Sequence, residues 1–280
     1  MVRLAENRYG KSLVRLARVT RRPDGHQFRE WIVQILLQGD FESCFIDGDN
    51  SKILPTDTMK NTVYSLSRNS AADCMERFAE ELSDFLLGRN PQASSAEVSV
   101  EEKTWEPLQV SAKAHPAAFV QSSGEIQTAK VSRAQSGKFS VASGLDHLVI
   151  LKTADSAFEG YLRDSLTTLP ETSDRLLGTS LGAEWTYETA NLDFKETRRE
   201  IRELLLATFA NHHSKSVQHT LYAMAEAVLE KVLCVQDIRL VMPNKHFLLA
   251  DLSRFGQDNP NEIFVPTDEP HGHIEARIRR

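Results

Sequence analysis

The sequence predicts an α+β protein: antiparallel sheet with helices on one face, laid out as two tandem halves. Three observations predict it. Strand-like alternation comes in hairpin pairs, and two consecutive segments with apolar residues at helical spacing follow each pair. The order strand-strand-helix-helix-strand-strand then occurs twice along the chain. The halves are expected at 1–136 and 137–280. They share no strong identity, so the repeat is one of architecture.

In the first half, residues 8–20 carry Leu13, Val14, Leu16 and Val19. Arg22-Pro23-Asp24-Gly25 is a turn, with Pro fixing φ and Gly free to go left-handed. The run from Trp31 to Leu37 reads as the return strand. Helices are expected at about 56–69 and 71–87. In the second, Met75, Phe78, Leu82 and Phe85 form the apolar stripe and Gly88 is the stop. Residues 94–135 return to strand-like alternation around Val98, Val100 and Trp105, after a Ser-rich turn near Ser94-Ser95.

In the second half, 137–153 and 178–188 are strand-like with an irregular stretch between them. Helical patterns cover about 193–212 and 215–233, where Val217, Leu221, Ala225, Val228 and Val232 make one stripe. Ile238, Leu240 and Met242 alternate, as do Phe247 and Leu249, giving a last strand pair before a loop around Gly256 to Pro260.

Composition excludes several classes. The 280 residues are 41% hydrophobic and 26% charged, as in an ordinary globular protein large enough for a full core. A net charge of −6 argues against broad nucleic-acid binding, which needs a concentrated basic surface. No stretch approaches the roughly 20 apolar residues of a membrane span, and the N-terminus lacks a signal-peptide core. Cys44, Cys74 and Cys234 are odd in number and widely spaced, which suits reduced thiols rather than a disulfide framework. A soluble, cytoplasmic protein is expected, without nucleic-acid or membrane partners.

Several polar residues stand where packing does not require them. Thr56 and Asp57 open a helix; locally they read as caps, and a helix N-terminus also attracts an anion. Lys11 follows Gly10 on a strand, where a solvated lysine is the ordinary outcome. A catalytic lysine needs desolvation or a cationic neighbour to shed its proton. Asn244, Lys245 and His246 read as a polar turn between strands. Arg175 lies near Glu171 and Asp174, so the plain expectation is a local surface ion pair. Its alternative is a bidentate grip on a planar anion. Phe158 reads as core, or else as a stacking platform. Gln218 beside Val217 reads as a solvent-facing amide, or as a partner for the donor–acceptor edge of a heterocycle. His212-His213 and His271-Gly272-His273 lack convincing metal-ligand spacing.

The neighbours of these residues resemble the urate oxidase, or uricase, family. The likeness runs over most of the chain. It is carried by Tyr9-Gly10-Lys11 with Val14-Arg15, and by Asp49-Asn50-Ser51 leading to Thr56-Asp57-Thr58-Met59-Lys60-Asn61-Thr62-Val63-Tyr64. It continues through Leu151-Lys152-Thr153, Phe158, Leu162-Arg163-Asp164 and Thr167-Thr168-Leu169 to Arg175. Ser216-Val217-Gln218, the run from Leu221 to Glu226, and Pro243-Asn244-Lys245-His246 complete it. Ala154 and Leu166 depart from the pattern, where relatives commonly have a hydroxyl and an aromatic residue.

The resemblance implies two tandem tunnelling-fold (T-fold) modules assembling as a homotetramer, with sites at subunit interfaces. It implies oxidation of urate by molecular oxygen as co-substrate, without metal or organic cofactor, to 5-hydroxyisourate and hydrogen peroxide. It implies a proton relay of Lys11 and Thr56 from one subunit and His246 from its neighbour. Phe158 is expected to stack on urate, with Arg175 and Gln218 in its plane. The backbone of Val217, with Thr56 and Asp57, would assist, and Leu169 would line the pocket. Asn244, with Thr56, would hold oxygen over the ring. Absence of a peroxisomal Ser-Lys-Leu tail fits a bacterial, cytoplasmic relative. Two rivals stand beside this reading: a zinc-dependent pterin or purine enzyme of the same fold, and a non-catalytic purine-binding protein.

Overall fold

The computed structural model describes residues 2–189 and 191–280, apart from the side chain of Ser123. The chain divides into two compact units. One runs up to Gly144 and takes in Thr186–Lys195; the other comprises Leu145–Trp185 and Glu196–Arg280.

The first unit contains β1 (Tyr9–Thr20), β2 (Gln27–Gly39), α1 (Glu42–Ile46), α2 (Thr56–Asn69), α3 (Met75–Arg89), β3 (Ala93–Val110) and β4 (Lys113–Ala134). The strands lie antiparallel in the order β1-β2-β3-β4. On β2 the alternate residues Trp31, Val33, Ile35 and Leu37 are buried, as a strand with one face on the core requires. Helix α3 packs on β3 and β4 through Phe78, Ala79, Leu82 and Leu86, and α2 packs on β1. The rings of Trp31 and Phe78 meet at 5.2 Å between centroids, joining the sheet to α3. Each such side chain, fully buried, contributes about 1.5–3 kcal/mol.

The strand-like stretch expected at 94–135, the last strand pair of the first half, is one long hairpin. Its two strands join at Ser111-Ala112, between the paired Val110 and Lys113, with φ of 52° and 61°. A two-residue hairpin loop needs positive φ at both central positions, and Ser-Ala lacks the usual Gly or Asn that would announce it. Ser95 lies within β3, paired with Gln38 and Ala134, so Ser94-Ser95 is strand and not turn. Helix α1, of five residues, had no period long enough to read.

Strand β5 (Phe139–Lys152) crosses from one unit to the other. The expected boundary between 136 and 137 falls in the turn just before it. The second unit continues with β6 (Leu177–Tyr187), α4 (Phe194–Asn211), α5 (Val217–Lys231), β7 (Val235–Val241), β8 (Asn244–Leu249), β9 (Phe264–Gly272) and β10 (Glu275–Arg279). β7 pairs with β10, β6 with β8, and β8 with β9, all antiparallel. Helix α5 packs on β7 and β10 through Leu221, Ala225 and Val228 of the stripe read from the sequence, with Met224 buried beside them. Within the β7–β10 pair, Asp237 is buried and accepts a hydrogen bond from the Arg277 guanidinium. Strands β9 and β10 were not expected: Pro266 and Pro270 interrupt the first, and little of either is buried.

Among the described residues, no helix is long and apolar enough to cross a membrane.

Candidate functional site

The candidate residues fall into two groups, one in each unit. Lys11, Thr56 and Asp57 belong to the first unit; Phe158, Leu169, Arg175, Val217, Gln218, Asn244 and His246 belong to the second.

In the first group, Lys11 sits at a break in the β1–β2 ladder. It pairs with Ile35, but Val14 pairs with Val33, so one extra residue is accommodated between them. Leu13 absorbs it with φ of 57°, a conformation uncommon for a bulky residue. On the other side of Lys11, a Cβ on Gly10 would stand 1.8 Å from the Ile35 carbonyl oxygen. Glycine is therefore the only residue that lets β1 approach β2 there. Tyr9 adds a tie: its hydroxyl accepts the Leu54 N–H at 2.8 Å, and its ring packs edge-on against Phe41. Leu54 precedes Thr56 by two residues, so Tyr9 couples the strand bearing Lys11 to the helix bearing Thr56.

The start of α2 corrects the capping expectation. Pro55 occupies the cap position and no side chain caps the helix, while Thr56 and Asp57 are its first two residues. The Thr56 hydroxyl is thus not spent on capping. Asp57 turns its carboxylate to Lys60 and to Asn61 at 3.0 Å, which holds its pKa below the usual carboxylate range; the Lys11 charge acts in the same direction. The free N–H groups of this first turn leave a partial positive charge facing outward.

In the second group, the irregular stretch 154–176 is held by specific bonds. Phe158 and Thr172 exchange backbone hydrogen bonds at 2.8 and 3.2 Å. Ala157 N–H donates to Ser214 O at 2.7 Å, and Ser214 N–H to Asp155 O at 2.9 Å, which seats the Phe158 segment against the entry to α5. There Ser216 caps the helix by accepting the His219 N–H, placing Val217 and Gln218 in its first turn. Val217 is buried and Gln218 exposed. Arg175 lies two residues before β6, whose Thr179 pairs with Asn244 and whose Gly178 pairs with Lys245. Phe158 and Arg175 are therefore in contact beside the start of α5 that carries Val217 and Gln218, while Asn244 and His246 lie on β8, which Asn244 and Lys245 pair to β6. Phe158 is half-buried rather than core, and Leu169 is exposed.

Arg175 departs from its plain expectation. Glu171 accepts the Gly160 N–H at 3.1 Å and Asp174 the Ser156 N–H at 3.1 Å, so both acids serve the loop backbone. The guanidinium is half-buried, and burial lowers its pKa from its ordinary value without removing its charge. Its Nε is buried with no hydrogen-bond partner, and Cζ stands 5.1 Å from the Phe158 ring centre. A half-buried cation with no carboxylate partner among the described residues, over an aromatic ring, is arranged to receive a planar anion.

His212 and His219 pair at the entry to α5. Their rings meet with Nε2 of His212 3.1 Å from Nδ1 of His219, and Nδ1 also accepts the Lys215 N–H. His212 must then be the donor. Neither the His212–His219 contact nor the Tyr9–Leu54 bond carries a sequence signal, because each depends on a contact across a turn or between elements. Among the described residues, no group of three His, Cys, Asp or Glu is placed to hold a metal ion.

A family model described as Uricase matches residues 7–132 and 141–275. The chain belongs to the uricase family. Over 99% of its length it is 38% identical to the uricase of Arthrobacter globiformis, covering 90% of that relative. The uricase of Dictyostelium discoideum is 36% identical, with 100% of this chain and 98% of that relative covered. The crystal structure of uricase from Arthrobacter globiformis matches at a TM-score of 0.95, covering 100% of this chain and 96% of that one at 38% identity. A uricase structure from Bacillus fastidious, at 22% identity and a TM-score of 0.85 over 98% of this chain and 93% of that one, shares the fold. The architecture is the tandem tunnelling fold of this family.

Proposed function

We propose that this chain, an oxidoreductase by its family, is a urate oxidase. It converts urate, O2 and water to 5-hydroxyisourate and hydrogen peroxide, without metal or organic cofactor, in a homotetramer whose sites form between subunits. The observation that carries the reading is the half-buried Arg175 guanidinium, unpaired with any described carboxylate and set over Phe158.

Urate in its anionic form is electron-rich enough to reduce oxygen directly. What the protein must supply is a held anion, a route for protons and a seat for oxygen. Arg175 neutralises the anion, Phe158 stacks on its ring and Gln218 reads its edge, with the Val217 N–H at the start of α5 adding a donor. Thr56 and Asp57, at the uncapped start of α2, close the site from the neighbouring subunit.

Lys11, Thr56 and His246 form the relay, acting first as general base on urate and later as general acid. One-electron transfers from the urate dianion to O2 give a radical pair, which combines to a hydroperoxide. Loss of hydrogen peroxide and addition of water at the same carbon leave the 5-hydroxy product. Two electrons thus pass from urate to O2. Asn244 and Thr56 hold oxygen against the ring face, so the encounter occurs within one complex.

The test is aerobic incubation with urate after exhaustive chelation, following urate loss and peroxide release together. Equal consumption and release that survive chelation support the reading. Urate turnover that chelation abolishes would indicate a metal enzyme, and binding without turnover a purine-binding protein.

A further inference from the structure

Between Phe158 and Leu169 stands Tyr161, a residue given no role so far. Its ring lies nearly parallel to that of Phe158, with centroids 4.8 Å apart and planes inclined by 15°. Its hydroxyl donates a hydrogen bond to the Leu169 carbonyl. Gly160, with φ of 68°, turns the chain between the two rings and donates its N–H to Glu171. The Arg163 guanidinium lies over the Tyr161 ring at 5.7 Å from its centre. One side chain therefore touches the proposed stacking platform with its face and the proposed pocket wall with its hydroxyl.

We propose that Tyr161 is a positioning residue of the urate site. It backs one face of Phe158, so that a planar purine anion stacks on the opposite face only. Its hydroxyl fixes Leu169 beside that face. This rests on the reading of Phe158 as the stacking platform. A lone phenyl ring on an irregular stretch is free to tilt, and each orientation lost on binding weakens affinity. A second aromatic ring packed parallel removes that freedom before the ligand arrives, while the Phe158–Thr172 backbone bonds fix its root. The opposite arrangement, with Tyr161 lying in the ligand's own seat, would need the Tyr161–Leu169 bond to break at every turnover.

The experiment compares Tyr161→Phe, Tyr161→Leu and Tyr161→Ala, with Phe158→Ala alongside. It uses steady-state kinetics on urate and calorimetric binding of a planar urate analogue that cannot be oxidised. Loss of the ring should raise urate KM and analogue Kd together by about two- to tenfold, the range of an aromatic pair, with kcat little changed. Leu, which fills space without a flat face, should behave as Ala does, and Phe should recover most of the affinity. If Tyr161→Ala fails to fold, the Phe and Leu variants carry the comparison. Equal Kd for Phe and Leu, or tighter binding on removal of the ring, overturns the proposal. Loss of affinity in Phe158→Ala with wild-type affinity in every Tyr161 variant overturns it while leaving the stacking reading intact. Unchanged affinity in Phe158→Ala removes the stacking reading itself.

Discussion

The guanidinium of Arg175 lies 5.1 Å from the ring centre of Phe158, and the two acids nearest to it in sequence are bound elsewhere. That relationship sets up a conflict between stability and function. A half-buried cation lacking an anion is unfavourable in the empty protein and favourable only when an anion is present. Replacing Arg175 with Met should therefore weaken urate binding by about ten- to a hundredfold, the worth of charge-assisted hydrogen bonds. The ligand-free melting temperature should not fall. Calorimetric binding beside thermal unfolding checks both halves, and an unaltered urate affinity would remove Arg175 from the pocket.

Gly10 should tolerate no side chain. A Cβ there would collide with the Ile35 carbonyl oxygen, a backbone atom that cannot swing aside. Gly10→Ala must push β1 from β2 beside Lys11, at a cost of about 1–3 kcal/mol by the measure of overpacked sites. Denaturant unfolding should show the loss, and kcat should drop with it because the shift displaces Lys11. A fully active, equally stable variant would show that the strands adjust freely.

Tyr9→Phe should lower kcat more than it raises KM. The substitution leaves the half-buried Leu54 N–H without its acceptor, at a cost of about 1 kcal/mol, the low end for an unsatisfied donor. The effect would fall on the spacing of Lys11 and Thr56 rather than on urate contacts. Steady-state kinetics at saturating urate is the measurement, and a KM effect alone would place Tyr9 with the ligand instead.

Acid should loosen the entry to α5. Burial, followed by the neighbouring His219, Lys152 and His213, lowers the pKa of His212 below its ordinary value near 6.5. With the folded value depressed, the unfolded chain takes up the proton first. Stability from this group is full above about pH 6.5 and is lost as pH falls toward the folded value. Because His219 also donates to the cap residue Ser216, urate KM should rise over the same window. Melting temperatures of the wild type and of His212→Gln between about pH 7.5 and 5.5 should converge as pH falls.

Much of the fold was legible because its period was long and its burial one-sided. The α5 stripe and the alternation of β2 are of that kind, with apolar positions facing a single core. The Ser111-Ala112 hairpin was not legible, since positive φ there is imposed by the flanking strands and not announced by Gly or Asn. Strand β9, with two prolines and mostly exposed side chains, had no alternation to show. For the site, residue types and motifs pointed to the candidates, but the sequence could not reveal the unpaired state of Arg175. Glu171 and Asp174 stand close to it in the chain, and only the loop's hydrogen bonds show that they are committed to Gly160 and Ser156. Tyr161 was equally silent, as an irregular stretch has no period that predicts which rings will meet.

The relay makes the most demanding prediction. Lys11 and Thr56 lie in the first unit and His246 in the second, and the proposed site takes them from different subunits. Lys11→Met and His246→Ala should each reduce kcat by about 10²- to 10⁴-fold, the usual contribution of a positioned acid or base. When the two variants are co-expressed and assemble together, some sites receive both substitutions and others neither. Random mixing in equal amounts leaves about a quarter of the sites intact, so activity should recover to about a quarter of the wild-type level. Separately purified variants mixed without subunit exchange should stay inactive. If Lys11 and His246 served the same site from one chain, co-assembly could not restore any site, and the recovered activity would be that of the parents alone.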